Sequence, residues 1–293
     1  MSANLEIQAT ELKGLQSILI IGCGLIGTSI ALGLKKVMPE LRIDGVESFD
    51  ANRQVADRTG VFGTIYADLP HHVYDLAVIA TPVDVAKNMI LEVSLHALTI
   101  MDVCSVKQAV CETADEHGLR DRFAPTHPMA GASESGPMHA SADLFEQSIW
   151  LCVTGWPMCA VLAPMLEALG ARVEYVDSPS AHDAAMAVVS HGIHVTSVAA
   201  MLTYHHLQRD GQGEWNRWTG PGFRDVTRLS AAGSAFWAST LMENRLHVID
   251  YLSALRGQLD LFQQALEEHD DDALIELLQS SRSAQRRWRG ARP

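Results

Sequence analysis

Two short segments concentrate side chains able to move protons. Residues 102–107 read D-V-C-S-V-K and residues 127–131 read H-P-M-A-G, each closing an apolar run. A neutral imidazole at His127 can take a proton from a substrate hydroxyl while hydride leaves the same carbon. A loop histidine is more often capped than reactive, but the company of Ser105 and of a glycine-rich turn upstream reverses that preference. The turn, Gly22-Cys23-Gly24-Leu25-Ile26-Gly27, follows the apolar run SILII and opens a helical pattern. In such a turn the first glycine permits a tight bend, the second lets backbone approach a pyrophosphate, and the third allows close helix–strand packing. The helix that follows offers unpaired N–H groups and a partial positive charge to phosphate. Glu47, 20 residues after Gly27, closes the second apolar run. It can accept hydrogen bonds from ribose hydroxyls and would repel a 2′-phosphate, which favours NAD over NADP. Arg53 is the nearby cation that could accommodate such a phosphate. Thr81 and Pro82, just after the run 74–80, complete the candidate cofactor contacts.

A second group of candidates lies farther along. Residues 190–194 read S-H-G-I-H, which places His191 and His194 one turn apart on one helix face. Residues 222–228 read G-F-R-D-V-T-R and supply two guanidinium groups, Arg224 and Arg228, whose planar forks suit carboxylates. A metal site built from His191, His194, His205 and His206 is disfavoured, because roughly 16 Å of helix separates the two pairs.

These side chains need a scaffold that gathers them. In residues 1–177 short apolar runs alternate with helical patterns: strands are expected at 17–21, 41–46, 74–80, 98–103, 123–128, 149–154 and 172–176. Helices are expected from the glycine turn to about 36, at 51–59, after Pro82 and at 159–169. Alternation of this kind implies a doubly wound, parallel sheet of Rossmann type covered by helices on both faces. In such sheets ligands sit beyond the carboxyl ends of the strands, so Ser105 and His127 should face the same crevice as the nicotinamide. After residue 177 strand signals stop. Residues 178–208 read as helix with Pro179 in the first turn, 211–223 as a Gly- and Trp-rich loop, and 234–268 and 271–288 as long helices. A boundary near 177 thus separates a dinucleotide-binding domain, 1–177, from an all-helical domain, 178–293. Long helices must bury apolar stripes, and a second copy of the chain is the natural place.

Composition narrows the partners. The 293 residues are 47% apolar and 19% charged, enough for sizeable cores and unlike a disordered chain. Thirty-five acidic residues against 22 basic ones give a net charge of -13, which repels nucleic acid and also any anionic substrate at long range. An anion site must therefore be built from local cations and backbone dipoles. The Arg-rich end (Arg282, Arg286, Arg287, Arg289, Arg292) reads as a solvated helix terminus. Five cysteines, an odd number without a CxxC pair, fit a reducing compartment better than a disulfide framework or a zinc site. Neither a signal peptide nor a run of about 20 apolar residues is evident, so a cytoplasmic protein without a membrane partner is expected.

Taken together, these segments resemble the prephenate and arogenate dehydrogenase family. The features are G-x-G-x-x-G, D-x-x-S-V-K, H-P-M-A-G, a two-histidine helix and G-F-R-D-x-T-R, in the family's order from about residue 16 to 270. The resemblance implies NAD(P)-dependent oxidative decarboxylation of a small anionic cyclohexadiene to a phenol, by a homodimer knit through its helical domains. It implies that His127 accepts a hydrogen bond from the C4 hydroxyl, that Ser105 orients that hydroxyl and the histidine, that Arg228 binds carboxylate, and that His194 lies near the substrate side chain, with His191 beside it.

Two departures bear on substrate choice. Relatives read S-H-L-P-H where Ile193 here replaces the proline, restoring a backbone N–H. Many relatives carry a carboxylate at the position of Ser133, with Glu134 next to it here. No regulatory ACT domain is expected after the last matching helix. Prephenate ranks first, 4-amino-4-deoxyprephenate second and arogenate third. Two other classes weigh less. Rossmann dehydrogenases of small hydroxy acids place a catalytic lysine on a helix after the domain boundary, whereas 178–208 contains no lysine. An NAD-binding scaffold or sensor dimer would have lost His127, Ser105 or Arg228, and all three are present.

Overall fold

A computed structural model describes residues 14–131, 136–210 and 215–291. One eight-stranded sheet holds the order β3-β2-β1-β4-β5-β6-β7-β8. Its strands are β1 Ser17–Ile21, β2 Arg42–Val46, β3 Ile65–Tyr66, β4 Tyr74–Ile79, β5 Ala97–Asp102, β6 Phe123–Pro128, β7 Ile149–Val153 and β8 Arg172–Val176. Helices α1 Leu25–Val37, α2 Asp50–Asp57, α3 Val83–Val93 and α4 Gln108–Glu116 serve the first six strands, and α5 Pro157–Ala168 joins β7 to β8. The centre of the sheet is apolar on both faces: Ile18, Leu19, Ile20, Leu76, Val78, Ile79, Ile100 and Met101 are wholly buried. Each such side chain contributes about 1.5–3 kcal/mol relative to exposure, so the strand ends that carry functional residues are anchored in rigid material.

Strands β1 to β6 are mutually parallel, which yields the doubly wound 3-2-1-4-5-6 arrangement with its switch point between β1 and β4. The sheet departs from an all-parallel expectation at β6–β7. That pair is antiparallel, with His127 opposite Leu151 and Thr126 opposite Cys152. A parallel return needs a helical crossover, and between β6 and β7 the described residues hold only a 3₁₀ turn, Pro137–His139. β8 then runs parallel to β7 by way of α5. Two elements gave no periodic signal: β3, two residues long, and α4, whose buried side is only Val110, Cys111 and Ala114.

Beyond β8 a single long helix begins at α6, Pro179–Met186, capped where the Ser178 hydroxyl accepts from the Ala181 N–H at 3.1 Å. It passes through a π-helical turn, Ala187–His191, and continues as α7, Gly192–Asp210. The stretch Pro179–Gln208 contains an 18-residue window of mean hydropathy 1.5, by length and composition enough to cross a bilayer, which corrects the expectation that no segment reaches that length. Its small and aliphatic residues hide the signal among polar ones, His182, Asp183, His191 and His194, all of which are buried within the protein. Within the described residues of the Gly- and Trp-rich segment, a 3₁₀ turn Trp215–Trp218 and α8 Pro221–Thr227 stand where a loop was expected. The helix expected at 234–268 is two helices, α9 Ser234–Glu243 and α10 Arg245–Glu267, broken at Asn244. The last helix, α11 Asp271–Gly290, is capped by Asp270, which accepts from the Ala273 N–H at 2.9 Å.

The chain forms two compact units, residues 1–245 and 246–293. The first contains the sheet and the helices through α9. In the second, α11 carries Asp271 and Asp272 in its first turn and Arg287 and Arg289 in its last, each suited to the helix dipole. Arg292 lies outside the described residues.

Candidate active site

The glycine turn has the geometry its spacing implies. Gly22 sits at φ +95°, and a Cβ there would lie 2.6 Å from the Ala80 carbonyl oxygen. Its N–H donates to Val46 O at 2.9 Å, so the ends of β1, β2 and β4 converge on one residue. A Cβ on Gly27 would meet the Gly22 carbonyl oxygen at 2.1 Å and Ile20 Cγ2 at 2.8 Å, so only hydrogen lets α1 sit this close to β1. A Cβ on Gly24 would meet no described atom within 4 Å, because the turn opens outward there. Gly24 is the N-cap of α1, no side chain caps that end and no acidic residue stands in its first turn. The N–H groups of the first turn, including those of half-buried Leu25 and Ile26, therefore remain for an anion. A cradle that a methyl group would fill, facing an uncapped helix end, fits a dinucleotide pyrophosphate.

Glu47 is buried at the end of β2, and its Oε1 accepts from the Phe49 N–H at 3.0 Å. Arg53, the cation that could have favoured a 2′-phosphate, donates to Glu47 O at 2.6 Å and pairs with Asp50. Its charge is thus already matched by a carboxylate. Thr81 and Pro82 lie at the end of β4 before α3; the Thr81 hydroxyl oxygen is buried without a protein partner among the described residues. Cys23, within the turn, is a buried thiol pushed up to about 12 by burial and then by Glu47, which leaves it unreactive.

His127 stands at the carboxyl end of β6, half-buried, beside the carboxyl end of β5. Its Nδ1 lies 3.0 Å from His182 Nε2, and His182 Nδ1 lies 2.7 Å from Asp183 Oδ1. Asp183 also accepts from the backbone N–H groups of Lys107 (2.7 Å) and Gln108 (2.9 Å), which open α4. Lys107 is itself wholly buried, paired with Asp102, and donates to the carbonyl of Thr126 at 2.6 Å, next to His127. The motif D-V-C-S-V-K is therefore a brace: its acid and its lysine tie β5 to β6, and its end receives Asp183. Burial, reinforced by His182, Lys107 and His191, holds the His127 imidazole well below the usual histidine range. Ser105 is half-buried in the same loop, between Cys104 and the brace.

The other histidines join the same network. Asn244 donates to Asp183 O at 2.8 Å and lies 2.9 Å from His191 Nδ1. This inward use of its amide explains the break between α9 and α10. His191 is wholly buried, its Nε2 has no protein partner among the described residues, and burial lowers it to about 4. His194 stacks on Trp237 with ring centroids 3.6 Å apart and planes 5° off parallel, and burial lowers its pKa as well. The structure thus links His127, His191 and His194 through His182, Asp183, Asn244 and Trp237. Arg228 is exposed at the start of a 3₁₀ turn, Arg228–Ala231, and joins none of these hydrogen bonds among the described residues. Ile193 is 45% exposed, so the residue in the proline position points away from the two histidines it separates. Ser133 and Glu134 lie outside the described residues.

Sequence reasoning missed His182, Asp183 and Asn244. A signal for the first two existed: an adjacent His-Asp in the second turn of an otherwise apolar helix demands buried partners. Asn244 gave none, since an asparagine between two helical patterns reads equally well as a surface residue.

Comparison with known proteins agrees with this geometry. Residues 30–175 match the nucleotide-binding domain of prephenate dehydrogenase and residues 178–280 its dimerization domain. The glycine turn lies just ahead of the first matched residue. The chain is 31% identical to the prephenate dehydrogenase of Bacillus subtilis over 91% of this chain and 74% of that one. It is 26% identical to the cyclohexadienyl dehydrogenase of Zymomonas mobilis, over 91% and 94% of the two chains. Among solved structures, the prephenate dehydrogenase of Aquifex aeolicus in complex with hydroxyphenyl propionate and NAD+ superposes with a TM-score of 0.83 at 23% identity, covering 93% of this chain and 98% of that one. With the glycine cradle, the half-buried His127, family matches over most of the chain and a relative 31% identical, the chain belongs to the prephenate dehydrogenase family, a family of NAD-dependent oxidoreductases.

Proposed function

We propose that the protein catalyses the NAD-dependent oxidative decarboxylation of prephenate to 4-hydroxyphenylpyruvate, a step of aromatic amino acid and tyrosine biosynthesis. The observation that carries this reading is His127, a neutral imidazole at the carboxyl end of β6 beside the D-V-C-S-V-K loop, in a sheet whose switch point holds a dinucleotide cradle. The Gly22–Gly27 turn and the open end of α1 would hold the pyrophosphate, Glu47 the adenosine ribose, and Thr81 and Pro82 the neighbouring part of the cofactor. NAD, when bound, supplies the hydride acceptor.

The chain's own task is orientation and one reversible proton transfer. As C4 loses hydride, its hydroxyl proton passes to His127, leaving a C4 carbonyl conjugated with the ring. The C1–carboxylate bond then breaks, carbon dioxide departs, and its electron pair enters the ring, which becomes aromatic as a phenolate. His127 returns the proton to that oxygen, so no net proton is released. Ser105 would orient the C4 hydroxyl, Arg228 would bind a substrate carboxylate, and His194 and His191 would lie along the side chain, with Ser133 and Glu134 as further candidates for substrate binding.

The domain boundary at 177 and a homodimer through the helical domain belong to the same proposal, supported by the dimerization-domain match. So do a cytoplasmic location and the absence of nucleic acid or membrane partners. Arogenate and 4-amino-4-deoxyprephenate are the alternative substrates, because the proton acceptor would serve a C4 hydroxyl or amine alike. The test is NADH formation from prephenate, arogenate and 4-amino-4-deoxyprephenate at matched concentrations. Preference for prephenate supports the proposal, preference for either analogue replaces the substrate, and turnover of none returns the scaffold reading.

A further inference from the structure

His182 is wholly buried and uses both ring nitrogens, one toward His127 and one toward Asp183. Those contacts determine the protons. The Asp183 carboxylate already faces two backbone donors, the N–H groups of Lys107 and Gln108, and can only accept from His182. His182 Nδ1 therefore carries hydrogen. In a neutral His182 ring Nε2 is then a lone pair, and it must receive the hydrogen on His127 Nδ1. It follows that His127 presents the lone pair of Nε2, the nitrogen with no protein partner in this chain of contacts, as the proton-accepting atom.

We propose that His182, anchored by Asp183, is the positioning residue that sets the tautomer of His127 and shares the charge when His127 takes the substrate proton. The inference rests on the proposed reaction only for its second half; the tautomer assignment stands on geometry alone. When the substrate proton reaches His127 Nε2, the Nδ1 hydrogen can move toward His182 Nε2, and His182 donates more strongly to Asp183. No electrons are exchanged, and the shift reverses when the phenolate is reprotonated. Interposing a second imidazole keeps the carboxylate one ring away from an anionic substrate while still polarising the base. The charged and titratable groups around His127 are consistent with this division. Lys107 is matched by Asp102 on the β5–α4 side, His191 on the π turn is bonded to Asn244, and His182 is the one that hydrogen-bonds the ring among the described residues.

Two measurements test it. Nitrogen-15 spectra of histidine-labelled protein at neutral pH should show two of the 13 histidines as neutral Nδ1–H rings, assigned to His127 and His182 by their loss in single variants. This readout needs no turnover, so it separates failure of the relay from failure of the proposed reaction. In steady-state kinetics, His182→Phe should lower kcat by about 10- to 100-fold through a misaligned base, with KM for substrate and Kd for NAD unchanged. It should also displace the acid limb of kcat, because the ring that faces His127 Nδ1 and bears on its protonation is gone. His182→Gln, whose amide oxygen can accept from His127 while its NH₂ donates to Asp183, should recover most of kcat. A merely structural role would lower Tm in both variants without moving the pH limb. An Nε2–H tautomer at His127 in the unaltered protein, or a His182→Phe enzyme with normal kcat and pH limb, overturns the proposal. Should His182→Phe fail to fold, the spectra of the unaltered protein decide.

Discussion

Replacing Gly24 and Gly27 separately by alanine distinguishes cofactor contact from packing within one six-residue turn. At Gly27 a methyl group would stand 2.1 Å from a backbone oxygen and 2.8 Å from Ile20 Cγ2, neither of which can swing aside, since Ile20 is wholly buried. Overpacking of this kind costs about 1–3 kcal/mol, and a contact this short belongs at the upper end. Alanine's better helix propensity returns about 1 kcal/mol. The net loss of about 2 kcal/mol should lower Tm by about 4–8 °C for a chain of this size. At Gly24 the backbone, φ -83° and ψ -158°, accepts alanine, and the new methyl meets no protein atom within 4 Å. Stability should therefore change by no more than about 0.5 kcal/mol. The methyl would instead occupy the space through which a pyrophosphate approaches the end of α1, and NAD affinity should fall at least about tenfold, or 1.4 kcal/mol. Thermal melts without cofactor, together with NAD titrations by calorimetry, give both numbers. Equal NAD affinity in Gly24→Ala and the unaltered protein would refute the assignment of the cradle. An unshifted melt for Gly27→Ala would refute the packing argument.

His127→Asn should abolish most of kcat while sparing NAD affinity. Because burial holds His127 below the usual histidine value, kcat should rise with pH through a limb lying under pH 6.5 and stay level above it, as a pH–rate profile will report. Folding stability should fall on the acid side: His191 is near 4 folded and near 6.5 unfolded, so the unfolded chain binds its proton first. Its contribution is complete above about pH 6.5 and is lost progressively toward pH 4, about 3 kcal/mol in all, visible as a falling urea midpoint that His191→Gln flattens. Lys107→Met strands the buried Asp102 carboxylate and should cost about 3–5 kcal/mol. Adding Asp102→Asn to it should recover much of that loss in the same unfolding experiment.

The parts that were legible in the sequence are those governed by local rules. The alternation of apolar runs and helices located seven of the strands to within a residue or two, because a strand buried on both faces must be apolar throughout. The glycine spacing located the cradle, because only glycine fits at Gly22 and Gly27. What escaped depends on long-range pairing. The reversal at β6–β7 is decided by the connection between them, not by either strand. The break at Asn244 exists because that amide is drawn inward by Asp183 and His191, 61 and 53 residues away in sequence. His182 escaped for the same reason. Its meaning lies in a strand 55 residues upstream, and helical periodicity could show only that it was polar on an apolar face.

An acidic protein that handles an anionic substrate faces a conflict, and the site resolves it by neutralising its own carboxylates. The chain carries a net charge of -13, yet the two acids that brace His127 are both matched. Asp102 is held by the Lys107 ammonium and receives the Cys104 N–H at 3.0 Å. Asp183 receives two backbone N–H groups as well as His182. In the proposed reading the groups left to meet the substrate are neutral imidazoles, since burial lowers the pKa of His127, His191 and His194. In the proposed reading attraction for anions is then left to other groups: the open end of α1 for phosphate and the exposed Arg228 guanidinium for carboxylate. This division has a kinetic logic. A cation beside the base would oppose its protonation and a bare carboxylate would oppose substrate binding, whereas a neutral ring backed by a distant, saturated anion does neither.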